Sequence, residues 1–163
     1  MKKLIVLMAV ILTLTGCANP VYNFFEDKHL GSMVGGHSLY YSKDFENLHS
    51  YGDIGLYIYN HVSYDYGDDP TVWNNPETTL ATGKGSCADM AVLYLDIAHY
   101  VLHEDGEIVC IDTANISRSV ESGGYVNHAQ VRFGSTIIEP FTGKQVSVSS
   151  IGYSYSFDNI FDK

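Results

Sequence analysis

Cys87 lies in the sequence setting that a nucleophilic thiol requires. It follows Ser86, whose hydroxyl suits it to cap a helix, and a helix-periodic apolar stretch begins immediately afterwards. Backbone N–H groups and the dipole at a helix N-terminus stabilise a thiolate, which lowers the pKa of the thiol. Gly83 and Gly85 allow a backbone or a substrate to approach closely. Cys87 is therefore a candidate nucleophile; the alternative is a small buried hydrophobic residue, the usual role of a cysteine outside disulfides.

His128 is the candidate base, and a predicted hairpin supplies a third group. Alternation with period two predicts strands at residues 127–133 and 136–140, joined by a two-residue Gly-Ser turn. That turn places Gln130 opposite Glu139, so that His128, Gln130 and Glu139 share one face. Glu139 is then diagonal to His128 and can orient and stabilise an imidazolium. A three-residue turn would reverse these faces, and the alternative for His128 is an ordinary hydrogen-bonded strand histidine.

The remaining elements place helices before strands. The helix after Ser86 carries an apolar stripe and ends near Gly106. Its stripe consists of Met90, Leu93, Tyr94, Ile97 and Val101. Further predicted elements are a helix at residues 44–62 with a break at Gly52, a helical turn at 77–81, and strands at 107–112, 146–148 and 151–157. Helices followed by antiparallel strands predict the α+β class, with the Cys87 helix packed on the sheet.

Composition limits the classes of protein that fit. The chain is 45% hydrophobic and 13% aromatic, which is enough material for the core of one domain. A net charge of −10 argues against binding to the phosphate backbone of nucleic acids. Three cysteines are too few for a disulfide scaffold. The predicted organisation is a signal at residues 1–16, a lipidated cysteine with a tether and lead-in at 17–43, and one domain at 44–163.

The N-terminal segment resembles the signal of a bacterial lipoprotein. Lys2 and Lys3 precede an apolar run that is too short to span a bilayer, and the run ends in Leu-Thr-Gly before Cys17. The resemblance implies cleavage before Cys17 and lipid attachment there, with Ala18 compatible with outer-membrane sorting in a cell with two membranes. In a cell with one membrane, the outer face of that membrane is expected. The alternative is an ordinary secretory signal.

Cleavage before Cys17 would change the charge of the protein. Loss of Lys2 and Lys3 leaves seven basic against nineteen acidic residues, a net charge of −12. Anionic headgroups would repel such a surface, so a membrane association through Cys17 depends on the lipid.

The segment around Cys87 resembles the active-site signature of transglutaminase-like cysteine peptidases. The shared residues at fixed spacing are Trp73, Pro76, Leu80, Gly83, Gly85, Cys87, Asp89 and Ala91. Downstream, His128-Ala129 and Glu139-Pro140 are similar to the histidine and acidic positions of that family, and the resemblance covers residues 44–143. It implies a papain-like α+β core with Cys87 as nucleophile, His128 as base and Glu139 as orienting acid.

The resemblance also implies a reaction. Cys87 would attack an amide carbonyl of a protein or peptide at the cell envelope, and water or an amine would release the acyl-enzyme. The Cys87 backbone N–H would hold the oxyanion together with an upstream donor, for which Trp73, Asn74 and Asn75 are the candidates. The sequence departs from the family in Glu139, where aspartate is usual, and in Ala88, where some members carry an acidic residue. A calcium requirement based on that acidic residue is not implied, and no cofactor or metal is expected.

Several alternatives remain open at this stage. Hydrolysis is the preferred outcome, with amine transfer by the same triad or a non-catalytic envelope-binding lipoprotein as alternatives. His99 and His103 have a metal-binding spacing but no evident third ligand, and Asp65, Asp68 and Asp69 favour turn chemistry over calcium. Cys110 is predicted to be buried, although a disulfide with Cys87 is conceivable outside the cytoplasm. The tyrosines at positions 57, 59, 64 and 66 fit either a substrate cleft or ordinary packing.

Overall fold

The protein has an α+β fold in which helices cover one antiparallel sheet. The computed structural model describes residues 39–67, 73–112, 127–148, 151 and 153–161. The helices are a 3-10 helix (Lys43–Asn47), α1 (Tyr51–His61), α2 (Pro76–Thr82), α3 (Cys87–Leu102) and α4 (Phe157–Ile160). The strands are β1 (Ser63–Tyr64), β2 (Lys84–Gly85), β3 (Glu107–Asp112), β4 (Asn127–Phe133), β5 (Thr136–Glu139), β6 (Lys144–Val146) and β7 (Tyr153–Ser156). The main sheet has the order β6-β5-β4-β3-β7, with all neighbours antiparallel.

Helix α3 begins where the sequence predicts. Ser86 and Asp89 form a capping box, in which the Ser86 hydroxyl accepts from the Asp89 backbone N–H and the Asp89 carboxylate accepts from that of Ser86. The helix ends at His103, which adopts the left-handed conformation (φ 56°), before the predicted stop at Gly106. The helix is buried on all sides from residue 88 to 98 rather than along one stripe. The cause is that β4 and β3 pack on one side while α1, α2 and the 3-10 helix cover the other.

The hairpin of β4 and β5 has the predicted register. Val131 pairs with Ile138 and Phe133 pairs with Thr136, so the connection is a two-residue turn. Gly134 at its first position has φ 59°, as a type II′ turn requires. The prediction that His128, Gln130 and Glu139 share one face is therefore confirmed.

The segment before α3 differs in detail from the prediction. The predicted break at Gly52 is wrong, because the 3-10 helix and α1 are separated at residues 48–50 and Ser50 caps α1 through its hydroxyl. Gly83 is a left-handed cap of α2, and it is followed by β2, which pairs in parallel with β1. This two-stranded pair fixes the backbone of Tyr64 next to the start of α3.

Helix α1 and the β5–β6 turn meet at two glycines. A Cβ added at Gly55 would lie 2.0 Å from the Gly143 backbone nitrogen, and Gly143 itself has φ 64°. Because neither residue has a side chain, the helix and the turn approach at backbone distance. The same turn is closed by the Gly143 N–H, which donates to the Glu139 carbonyl over 2.8 Å.

The N-terminal predictions at residues 1–38, including the signal and Cys17, lie outside the described residues. Among the helices of the described part, none is long and apolar enough to cross a membrane.

A buried carboxyl group is expected to make stability depend on pH. Asp96 is fully buried within α3, and both of its carboxyl oxygens accept from the Tyr40 backbone N–H, over 3.1 and 3.2 Å. Burial raises the pKa of Asp96 to about 8, although the Tyr40 N–H acts in the opposite direction. In the unfolded chain this group ionises near pH 4, so the free energy of unfolding should fall between about pH 4 and pH 8.

Asp96→Asn should remove this decline, which we expect to be on the order of 2–4 kcal/mol. Urea unfolding at pH 5 and pH 8.5 measures it. Asp53→Asn is the control, because hydrogen bonds from the Ser50 hydroxyl and the His49 N–H lower the pKa of this exposed carboxylate. A decline of equal size in Asp96→Asn and in the wild type would contradict the assignment.

Candidate active site

The structure brings Cys87, His128 and Glu139 together on neighbouring elements. Cys87 is the first residue of α3, His128 lies on β4, and Glu139 ends β5. His128 Nε2 and Glu139 Oε2 are 2.6 Å apart. The imidazole is also hydrogen-bonded to the Cys87 side chain, and with Nε2 engaged by the carboxylate, Nδ1 is left for the sulfur. The three side chains thus form a continuous thiol–imidazole–carboxylate chain.

Electrostatics in this chain favour a thiolate–imidazolium pair. Burial alone would raise the pKa of the Cys87 thiol, but hydrogen bonds from His128, the Ala129 N–H and the Tyr64 hydroxyl, together with the His128 charge, lower it below its ordinary value. Burial alone would lower the pKa of His128, yet its hydrogen bonds and charge interactions with Cys87 and Glu139 raise it to about 10. The two opposite shifts favour a proton on the imidazole and a negative charge on the sulfur.

The carboxylate is held by groups besides the histidine. Burial would raise the pKa of Glu139, but the His128 hydrogen bond and charge, the Gln130 amide and the Phe141 N–H together lower it. Gln130 is 5% exposed and its Nε2 donates to Glu139 Oε2 over 3.1 Å. The shared strand face predicts the proximity of Gln130 but not a role for it. It acts as a second donor that keeps the carboxylate ionised and oriented.

A cleft of about 500 Å³ opens over the thiol. Among the described residues, its lining consists of Tyr64, Tyr66, Cys87, Met90, His128, Glu139, Pro140 and Phe141. Of the four tyrosines considered from sequence, Tyr64 and Tyr66 line this cleft. Tyr57 instead stacks on His61, and Tyr59 packs against Phe141. The walls are mostly apolar, and the polar groups converge on the sulfur, which is the usual composition of a small-molecule or peptide site.

The three upstream oxyanion candidates lie elsewhere in the described structure. Trp73 is 2% exposed and packs edge-to-face on Tyr155. The Asn74 N–H donates to Asp89 Oδ1 over 2.6 Å, and the Asn75 side chain caps α2 by accepting from Thr78. None of these residues is among the described residues that line the cleft. Asp89 accepts from the Asn74 backbone N–H and so ties this segment to the start of α3. Its position in the first turn of the helix does not by itself predict this contact.

His99 and Cys110 occupy ordinary structural positions, whereas the calcium candidates Asp68 and Asp69 lie outside the described residues. His99 Nδ1 lies 2.6 Å from Asp105 Oδ1, and the His99 ring stacks on Phe157. Cys110 is buried on β3, and burial raises the pKa of its thiol to about 12. Cys87 and Cys110 are both present as thiols. Within the described ranges, no group of three or more His, Cys, Asp or Glu side chains could hold a metal ion.

Comparison with known protein families and with curated proteins gave no match to this chain.

Removal of the Glu139 charge should lower the pKa of His128. In Glu139→Gln the imidazolium loses both its carboxylate hydrogen bond and the charge interaction, so its pKa should fall by more than about one unit, or 1.4 kcal/mol. Titration of the His128 ring resonances by NMR measures this shift. Glu107→Gln is the matched control, since the Glu107 carboxylate pairs with Arg132 at 2.7 Å. An unchanged His128 titration in Glu139→Gln would exclude Glu139 as the orienting acid.

Proposed function

We propose that this protein is a transglutaminase-like thiol hydrolase that cleaves peptide or protein amide bonds at the cell envelope. The observation that carries the proposal is the hydrogen-bonded chain from Cys87 through His128 to Glu139 at the base of an open cleft. A cysteine at the N-terminus of a buried helix, with the histidine and acid on adjacent strands, is also the arrangement expected of a papain-like core. Anchoring through a lipid on Cys17 is part of the same proposal.

The chain's own residues account for each step of the reaction. The Cys87 thiolate attacks the carbonyl carbon; a C–S bond forms and the C=O π pair moves onto oxygen. When C=O re-forms, the C–N bond breaks and the leaving amine takes a proton from the His128 imidazolium. The neutral imidazole then takes a proton from water, whose oxygen attacks the thioester. Collapse of this second intermediate releases the carboxylic acid and restores the thiolate–imidazolium pair.

A reaction with a simple activated ester tests the thiol chemistry. The full chain in detergent is treated with p-nitrophenyl acetate, and release of nitrophenol with acetylation of Cys87 is followed by absorbance and mass spectrometry. We expect turnover that depends on Cys87 and His128. A wild-type chain that reacts no faster than Cys87→Ala would overturn the proposal.

The acceptor of the acyl group is tested with casein and a primary amine, monodansylcadaverine. New peptide termini in casein after incubation with the protein support hydrolysis of backbone amides. Attachment of the amine to casein glutamines would identify amine transfer by the same triad. Mass spectrometry of casein after incubation with the wild type and with Cys87→Ala separates these products.

A further inference from the structure

The Tyr64 hydroxyl makes two contacts with the nucleophile. Its O–H donates to the Cys87 sulfur, and its oxygen accepts from the Cys87 backbone N–H. Tyr64 therefore lies against the atom that would attack and against the N–H group that would stabilise the product of the attack. From the sequence, Tyr64 is only one of four tyrosines that fit either a substrate cleft or ordinary packing.

During an acyl transfer the negative charge moves away from the Cys87 sulfur. Before attack the negative charge is on sulfur, and after attack it is on the former carbonyl oxygen. The backbone N–H of the nucleophile faces that oxygen in the tetrahedral intermediate. A hydroxyl in contact with both the sulfur and this N–H lies beside the place where the substrate oxygen would bind, so its proton can turn from the sulfur to that oxygen. The rotation is small, because the hydroxyl already contacts both the sulfur and the N–H that the oxygen would face.

We propose that Tyr64 is a catalytic residue that supplies the second oxyanion hydrogen bond, alongside the Cys87 backbone N–H. This inference rests on the proposed hydrolase function. It assigns to Tyr64 the role for which Trp73, Asn74 and Asn75 are the candidates from sequence.

The surroundings of Tyr64 permit the movement that the proposal requires. Its backbone is held by the Ser63 N–H bond to Gly83 (2.9 Å) and the Asp65 N–H bond to Gly85 (3.0 Å). The side chain is 40% exposed, and its ring packs against Tyr66, which is 92% exposed. The ring can therefore yield the position beside the Cys87 N–H to a substrate oxygen while the strand stays in place.

The protonation state of Tyr64 suits a donor. Burial, followed by its interactions with Cys87, raises the pKa of Tyr64 to about 12. The hydroxyl therefore keeps its proton across the range in which the thiolate exists. A neutral donor also leaves the negative mature surface unchanged.

Two reactions of the same thiol distinguish a residue that donates a hydrogen bond to the oxyanion from a residue that only changes the pKa of the thiol. Acylation by p-nitrophenyl acetate passes through a tetrahedral oxyanion, whereas alkylation by iodoacetamide displaces iodide at carbon and forms no oxyanion. Both rate constants are measured on the full chain in detergent across the pH range, so that each refers to the same thiolate fraction. The variants are Tyr64→Phe, which keeps the ring, and Tyr41→Phe as the control, because the Tyr41 hydroxyl donates to Glu46 and Tyr41 is not among the described residues that line the cleft. Cys110→Ala serves as the common background.

We expect Tyr64→Phe to slow acylation much more than alkylation. In Tyr64→Phe the ratio of acylation to alkylation should fall on the order of 10- to 100-fold, and in Tyr41→Phe it should not change. A parallel change in both rates, or acylation that is unchanged or faster in Tyr64→Phe, would overturn the role of Tyr64. Wild-type acylation no faster than that of Cys87→Ala would instead refute the hydrolase function itself.

Discussion

Cys87→Ala is expected to lower the rate of ester and amide cleavage by on the order of 10⁴- to 10⁶-fold. The thiolate is the group that forms the C–S bond, and neither water nor the remaining side chains provide a comparable nucleophile at the N-terminus of α3. The measurement is the rate of nitrophenol release under saturating p-nitrophenyl acetate, together with the appearance of new casein termini.

Cys110→Ala is the matched control for this experiment. The Cys110 thiol is buried on β3 with its pKa raised to about 12, so it stays protonated and unreactive. Cys110→Ala should keep activity within about threefold of the wild type, since its cavity cost falls mainly on stability. If Cys110→Ala were inactive and Cys87→Ala active, the nucleophile would have been assigned to the wrong cysteine.

His128→Ala is expected to slow alkylation of Cys87 by iodoacetamide at pH 6 by on the order of 10-fold or more, because each unit by which the thiol pKa rises lowers the thiolate fraction about tenfold. The hydrogen bond and the charge of His128 oppose the effect of burial on the thiol, so without them its pKa should rise to about 8.5 or higher. The rate should then increase with pH through that range, whereas the wild-type rate should reach its plateau at lower pH, because the pKa of the wild-type thiol lies below its ordinary value. The measurement is the pH profile of the alkylation rate.

His99→Ala tests whether this effect belongs to His128. His99 is a second imidazole in contact with a carboxylate, at 2.6 Å from Asp105, but it lies on the face of α3 that packs on Phe157. The His99→Ala variant should leave the pH profile of Cys87 alkylation unchanged. A His128→Ala thiol that still reacts rapidly at pH 6 would show that the helix N-terminus, and not the imidazole, controls the thiol.

Features set by neighbouring residues were predictable from the sequence. Ser86 and Asp89 are three residues apart, and their capping box fixes the start of α3 and hence the position of Cys87. A two-residue turn fixes the faces of β4 and β5, so the proximity of His128 and Glu139 follows from the alternation of side chains.

Features that depend on distant segments were not predictable. Strands β1 and β2 have two residues each, which is too short for any period to be read, and their parallel pairing brings Tyr64 to Cys87. The burial of α3 on both sides follows from where α1 and α2 pack, although the unbroken apolar run at residues 90–95 is a local sign of it that a single stripe overlooks.

The break before α1 was missed for a local reason. Both Gly52 and Ser50 can interrupt the helix, and the Ser50 cap prevails because its hydroxyl satisfies the Asp53 N–H.

The contact between Gly55 and Gly143 has a consequence for how this sequence can vary. The turn that contains Gly143 is closed on the carbonyl of Glu139, the residue whose carboxylate meets His128. A methyl group at either glycine would displace the backbone opposite it and, through the turn, the end of β5. We therefore expect the two positions to co-vary among descendants of this sequence. A larger residue at position 55 would be accepted only with a lengthened or reshaped turn around position 143, and the alignment of the acid would restrict which of those turns persist.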